Sequence, residues 1–309
     1  MAFTSKDVME LRKKTGAGVA DCQKALKETD GDMEKAVDYL REKGIATAAK
    51  KASRIAAEGV VLAKVNGNTG VIVEVNCETD FVAKGEQYLA FVDGVAQFIC
   101  DNDVKDIDQL VELKKDETIA ATAKIGEKIA IRRFAKYTAE SGIVETYIHG
   151  GGKVGVLVEL DGCTCDSAKE LAHDVALQIA AAKPLYLVAS EVPAEIIEHE
   201  KSILLAQIQN DPKLANKPAM VIEKMVEGKI NKYYDENCLL RQAFVKDPAL
   251  NIEKLVKSYA DKMGKELSIK RFTRFEMGEG LEKRSLLPKR WILRTDDISV
   301  WMGSINPTC

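Results

Sequence analysis

Long apolar runs are missing. Nowhere do about 18 consecutive apolar residues occur, so the sequence predicts no membrane-spanning helix and no membrane partner. Histidine is scarce, with three copies at His149, His173 and His199. None stands one helical turn from another ligand type, so no metal and no cofactor are expected. A basic excess is also lacking, because 45 Lys and Arg face 48 Asp and Glu for a net charge of −3. That balance cannot neutralise a phosphate backbone, which disfavours a nucleic-acid partner and favours a protein one. The seven cysteines (Cys22, Cys77, Cys100, Cys163, Cys165, Cys238, Cys309) are scattered and odd in number. They read as free thiols in a reducing compartment. Residues 1–14 hold charges at Lys6, Asp7, Glu10, Arg12 and Lys13 and no signal-peptide core, so the cytoplasm is the expected location.

Motifs of covalent chemistry are equally thin, and no nucleophile with a base, metal cluster or phosphate loop marks an enzyme. Cys163-Thr164-Cys165 is too closely spaced for a zinc knuckle and reads as surface-turn thiols without a role. His149-Gly150-Gly151-Gly152-Lys153 resembles a phosphate cradle, but a strand follows it where a helix is needed, which makes it a hairpin turn. Lys128, Arg132, Arg133, Lys136, Lys270, Arg271 and Arg274 sit among acids and read as solvated strand faces.

What is present is material for a core, with 46% hydrophobic and 30% charged residues over 309 positions. That length calls for modules, since single cores stop growing near ~250 residues. Ser5 is placed to cap a helix to Lys14, and a second helix runs from Val19 to Lys27. A third, capped by Asp32, carries the stripe Met33, Ala36, Val37 and Leu40 and is expected to stop at Gly44. Residues 1–48 therefore form a three-helix unit, and the Ala-rich stretch through 49–57 a helical linker.

From Val60 the period becomes that of strands: 60–65 and 71–75 flank Asn66-Gly67-Asn68 as a hairpin. Helices through Tyr88–Ile99 and Thr118–Ile125 and a strand through Ile129–Tyr137 complete a unit over 58–140. The order then repeats. A hairpin over 142–160 precedes a helix with Ser167 and Glu170 as a capping box, and Gly155-Val156-Leu157-Val158-Glu159-Leu160 parallels Gly70-Val71-Ile72-Val73-Glu74-Val75. The segment 127–137 also aligns without a gap against 265–275. A tandem αβ duplication is the expectation, its second copy spanning 141–190 and 235–284. Residues 191–234 interrupt that copy with two narrow apolar stripes, Ile196, Ile197, Ile203 and Leu204, then Ile222, Met225, Val226 and Ile230. They predict an antiparallel helical hairpin with a turn near Pro212, open to self-association or partner contact. The tail 285–309 holds Trp291 and Trp301 and no period. The fold class is α+β.

The sharpest local signal is Asn76-Cys77-Glu78-Thr79-Asp80-Phe81-Val82, where a strand ends and a helix begins. Two readings stay open here: a helix cap followed by a core phenylalanine, or an anion and a ring presented outward.

Taken in order, several motifs resemble the elongation factor Ts family up to about Arg284. They are residues 11–18 with 21–26, 74–83, 124–127, 147–150, 156–158, 181–184 and 274–280, the last reading Arg-Phe-Glu-Met-Gly-Glu-Gly. The resemblance implies a ubiquitin-associated-like first domain, a duplicated core and a coiled-coil arm open to homodimers or 2:2 complexes. It implies a guanine nucleotide exchange factor for elongation factor Tu, acting without covalent chemistry. Thr79, Asp80, Phe81 and Val82 would intrude beside the partner's magnesium and nucleotide, with Phe81 as wedge. Val19, Ala20, Gln23 and Lys24 of the first domain, Ile125, Gly126 and His149 of the core, and Phe244 and Val245 would make further partner contacts. Two departures stand out: Gln23 occupies a position where many relatives carry Lys, and the chain after Arg284 does not resemble the family's amphipathic C-terminal helix. The alternative is a ribosome- or RNA-associated scaffold without exchange activity.

Overall fold

A computed structural model describes residues 3–211, 214 and 217–281. The turn expected near Pro212 and the tail 285–309 lie outside the described residues.

The chain opens with α1 (Ser5–Thr15), α2 (Val19–Glu28) and α3 (Met33–Lys51). Thr4, not Ser5, caps α1: its Oγ1 accepts the Asp7 N–H while its own N–H donates to the Asp7 carboxylate at 2.7 Å. This reciprocal box satisfies two otherwise orphaned donors. Asp32 caps α3 as expected, its Oδ1 accepting from Glu34 N and Lys35 N, both at 3.1 Å. Gly44 does not end α3. It is buried inside the helix against Ile119 and Ala123, and the Ala-rich sequence beyond it stays helical to Lys51, so the expected linker is helical only that far. Val8, Leu11, Cys22, Ala25, Leu26 and Ala36 close the bundle's own core.

Next come β1 (Glu58–Asn66), β2 (Thr69–Cys77), α4 (Asp80–Ala83), α5 (Glu86–Asp101), α6 (Ile107–Leu113), α7 (Lys115–Ile125) and β3 (Ala130–Thr138). The strands form an antiparallel sheet in the order β1-β2-β3. Gly67, at φ 62°, supplies the left-handed conformation of the β1–β2 turn. Then follow β4 (Gly142–His149), β5 (Val154–Asp161), α8 (Asp166–Ala182), α9 (Ala194–Asn210), α10 (Ala219–Asn237), β6 (Ala243–Phe244), β7 (Asp247–Asn251), α11 (Ile252–Met263) and β8 (Ser268–Glu276). The second sheet, also antiparallel, runs β4-β5-β8. The three glycines 150–152 all have positive φ in the β4–β5 turn, which accounts for the apparent phosphate cradle. Helix α8 begins after Cys165 with no side-chain cap, so Ser167 and Glu170 do not form the expected capping box.

The layers are helix, sheet, sheet, helix. One face of the first sheet packs on α5 through Val71, Val73, Val75, Tyr88, Val92 and Val95. The second sheet packs on α8 and α11 through Val156, Val158, Leu171, Val175 and Leu255. Between the sheets lie Val61, Ile72, Tyr137, Val144, Leu157 and Phe275. Gly70 and Gly155 let the two sheets approach. A Cβ on Gly70 would lie 2.3 Å from Val144 Cγ1, and one on Gly155 2.5 Å from Val61 Cγ1.

The basic residues of β3 and β8 are engaged by buried acids, so the expectation of solvated faces holds for Lys270 and Arg271, which stay exposed, and fails for the half-buried Arg132 and Arg133. A bulge sets Arg132 and Arg133 against Glu74, whose carboxylate accepts Arg132 Nη1 at 2.9 Å, Arg133 Nε at 2.6 Å and the Gly278 N–H at 2.8 Å. The extra residue of a bulge is what lets two consecutive cations reach one acid. The second sheet does the same with Glu159, Lys270 at 3.1 Å and Arg271 at 2.6 Å. Both glutamates are buried. Burial pushes the Glu74 carboxyl up, but the Gly278 N–H and the two guanidiniums more than offset this and hold it below its ordinary value.

The arm pairs α9 with α10 through Ile197, Ile208, Val226 and Ile230, leaving Ile203, Leu205 and Met220 exposed. Among the described residues, no helix is long and apolar enough to cross a membrane.

Candidate partner-binding site

The site is built where β2 runs out. Thr79 caps the single turn of α4, its Oγ1 accepting the Val82 N–H at 3.4 Å. The cap is Thr79 and not Asp80, which frees the Asp80 side chain for an exposed pair with Lys84 at 2.8 Å. That hydrogen bond from Lys84 is the chief reason the Asp80 carboxyl titrates below its ordinary value. Phe81 is 83% exposed. The reading of a core phenylalanine therefore fails: in this one-turn helix Ala83 takes the inward position, and Phe81 points away from the hydrophobic cluster on α5.

An exposed ring on a floppy loop could not press on anything. This loop is braced. Glu127, just beyond α7, accepts the backbone N–H groups of Glu78 and Thr79 at 3.0 Å each through Oε2 and the Thr79 hydroxyl at 2.6 Å through Oε1. In return the Glu78 carboxylate accepts the Lys128 N–H at 2.8 Å. Cys77 donates its S–H to Thr79 O at 3.2 Å, and burial pushes that thiol up to about 12, so it stays a neutral donor. Glu127 was not singled out from the sequence as a site residue, although it closes the quoted motif 124–127.

Ile125 and Gly126 end α7 directly beside this brace, with Gly126 in the left-handed conformation at φ 85°. The three-helix bundle is docked against the same helix. Lys51 Nζ donates to Gly126 O, Arg41 pairs with Asp116, and the α1–α2 turn at Gly16 approaches Lys124. Val19, Ala20, Gln23 and Lys24 are all exposed on the face of α2 opposite Cys22, Ala25 and Leu26. The structure thus gathers the Phe81 tip, the end of α7 and the bundle turn around one helix.

The other anticipated residues belong to the second sheet's half. His149 is exposed at the end of β4, with Nδ1 3.1 Å from the Tyr147 hydroxyl. Val245 is 48% exposed, but Phe244 is buried at 5% in the core against α8. A core residue cannot itself offer a contact surface, which corrects the expectation for Phe244. Its ring anchors the β6–β7 turn, and Gln178 Oε1 accepts the Val245 N–H at 2.8 Å.

Among the described residues, no group of three or more His, Cys, Asp or Glu side chains is disposed to hold a metal ion. Among the large hydrophobic residues described, Phe81 is the most exposed, and it stands on a braced turn.

The model of the family described as Elongation factor TS matches residues 78–279, beginning at the braced tip and ending in the loop that Glu74 holds. The chain belongs to the elongation factor Ts family. It is 51% identical to elongation factor Ts of Symbiobacterium thermophilum over 290 residues, covering 91% of this chain and 94% of that one. Identity to elongation factor Ts of Clostridium novyi is 47% over 294 residues, with 91% and 94% covered. The corresponding protein of Syntrophotalea carbinolica is 46% identical over 295 residues, with 92% and 96% covered. For a member of the elongation factor Ts family, the braced tip and its neighbours become candidates for the surface that meets a translation factor.

Proposed function

We propose that this chain is the guanine nucleotide exchange factor for elongation factor Tu, acting in the cytoplasm during translation elongation by binding energy alone. The observation that supports this reading is Phe81, 83% exposed on a turn that Glu127 holds rigid. Thr79, Asp80, Phe81 and Val82 form the intruding segment. The ring enters the partner beside its nucleotide, and the Asp80 carboxylate, kept ionised by Lys84, disturbs the charges around the partner's magnesium.

No bond is made or broken in the factor. It binds the nucleotide-free partner better than the GDP-bound one, and by linkage GDP weakens the factor's binding to the same degree. A buried ring contributes ~1.5–3 kcal/mol, and each tenfold loss of GDP affinity requires ~1.4 kcal/mol. One ring therefore covers one or two decades, and the α2 face, Ile125, Gly126, His149 and Val245 supply the remainder. Phe244 acts by holding Val245 outward.

The module boundaries follow the same reading: a ubiquitin-associated-like bundle, a duplicated αβ core with its matched Glu74 and Glu159 bulges, and the α9–α10 arm as a self-association or partner surface. The test is release of labelled GDP from purified elongation factor Tu. Catalytic amounts of the chain should accelerate it, and an unchanged release rate would sink the proposal.

A further inference from the structure

Three sulfur atoms and an ammonium group meet at the loop joining β5 to α8, apart from the partner-facing residues. Cys163 Sγ lies 2.7 Å from Cys165 Sγ and 3.6 Å from Lys265 Nζ, and it accepts the Cys165 backbone N–H at 3.3 Å. Cys165 Sγ lies 3.3 Å from Met263 Sδ. The fold presses these groups together. Gly162, at φ 107°, sits so close to Glu266 O that a Cβ would fall 2.0 Å from it, which clamps the loop onto the segment entering β8. Cys163 is buried beneath the loop, whereas Cys165 is exposed.

Donors converging on one sulfur favour its thiolate. The Cys163 thiol is held below its ordinary value, first by the Cys165 side chain, then by the Cys165 N–H, with the Lys265 ammonium adding to both. Cys22, Cys77, Cys100 and Cys238 go the other way, each pushed up by burial. A shielded sulfur whose thiolate is favoured, 2.7 Å from an accessible one, is placed to resolve a mixed disulfide formed on its neighbour.

We propose that Cys163 and Cys165 form a reversible intramolecular disulfide by exchange with a low-molecular-weight disulfide of the glutathione class. Cys165, the exposed sulfur, gives up its proton to solvent as it attacks one sulfur of oxidised glutathione. That S–S bond breaks, and the first glutathione leaves as a thiolate and takes up the proton Cys165 gave up. Cys163 Sγ then attacks Cys165 Sγ, the mixed disulfide breaks, and the second glutathione leaves with the proton from Cys163. Two protein thiols are oxidised and one small disulfide is reduced to two thiols, so electrons and protons balance.

The tryptic segment 154–169 contains these two cysteines and no other, which isolates the reaction. The full-length chain is equilibrated in glutathione buffers from reducing to oxidising, quenched with an alkylating reagent, digested and weighed. In oxidising buffer the segment should lose two hydrogens, take up no alkyl group and carry no glutathione. Excess reduced glutathione should restore two alkylatable thiols. Cys163→Ser should arrest the exchange with glutathione attached to Cys165, and Cys165→Ser should leave Cys163 largely without adduct. Either of two results overturns the proposal: both thiols still alkylatable in the most oxidising buffer, or wild-type protein accumulating the glutathione adduct in place of the internal disulfide.

Discussion

Truncating Phe81 removes a ring that touches little of the folded chain, while truncating a core phenylalanine would cost ~3–5 kcal/mol. With 83% of Phe81 exposed, Phe81→Ala should melt within about 0.5 kcal/mol of the parent. Its accelerated GDP release should nevertheless fall by tenfold or more, since the lost ring accounts for at least one decade. Calorimetry and stopped-flow release on the same preparation read both quantities, and a variant that exchanges at the parental rate removes the wedge from the mechanism. Glu74 makes the converse prediction, because its partners are all internal. Its carboxyl titrates lower in the folded chain than in the unfolded one, so its contribution is complete above the ordinary carboxylate value and is lost as pH falls through the depressed one. Glu74→Gln should lower stability at pH 7 and flatten its decline below about pH 4.5, the ordinary value of a glutamate carboxyl. Urea midpoints across that range decide it, and a variant whose acid decline matches the parent's would show that other groups dominate. At this scale the sequence announced Phe81 but not its exposure. The adjacency of Asp80 and Phe81 was visible, whereas the brace that makes the tip rigid comes from Glu127, 48 positions beyond Thr79. Contacts across such separations leave no local period.

The elements themselves were largely legible, and the misses have physical causes. The hairpin turns showed themselves through Gly67 and the glycines 150–152, whose positive φ angles are local needs. Gly44 misled for the same reason, since a helix-ending glycine and a helix-packing glycine look alike until the neighbouring helix is known. Helices α6 and α11 were missed although the signals are there: Asp106 caps α6, which is only seven residues long, and Asn251 caps α11, whose apolar stripe carries Ile252, Leu255 and Val256. The two kinds of glycine should separate on substitution. A Cβ on Gly44 would meet Ala123 Cβ and Ile119 Cγ2 at an ordinary 3.7 Å, so Gly44→Ala should stabilise by up to ~1 kcal/mol of helix propensity. A Cβ on Gly155 would meet Val61 Cγ1 at 2.5 Å, so Gly155→Ala should destabilise by ~1–3 kcal/mol through overpacking between the sheets. Opposite shifts in melting temperature are the expected outcome. A stabilised Gly155→Ala variant would mean that the sheets have room to part.

For the whole molecule the question is whether the bundle is a separable docking module or a brace for the core. It has its own buried cluster, from Val8 to Ala36. It meets the body through the packing of Gly44 on α7, the Lys51 bond to Gly126 O and the Arg41–Asp116 pair, whose side chains are 62% and 69% exposed. A pair that exposed contributes little to stability, so removing the bundle should leave the two-sheet core intact. The cut belongs after Lys51, where α3 ends. One placed at 48 would leave a helical stub, and one placed beyond Ala52 would remove a carbonyl that Lys128 Nζ holds at 2.6 Å, loosening the segment that braces the tip. A chain lacking residues 1–51 should therefore unfold cooperatively near the parental temperature while losing most of its exchange activity, because the face of Val19, Ala20, Gln23 and Lys24 is gone. The intact Phe81 tip leaves a residual that rises as elongation factor Tu concentration is raised, since the deletion removes affinity and spares the wedge. Circular dichroism melts establish the first half and GDP release against partner concentration the second. If the truncated chain matches the parent at low partner concentration, the α2 face takes no part in docking. If it cannot be rescued at high concentration, the bundle acts on the tip itself and not through affinity.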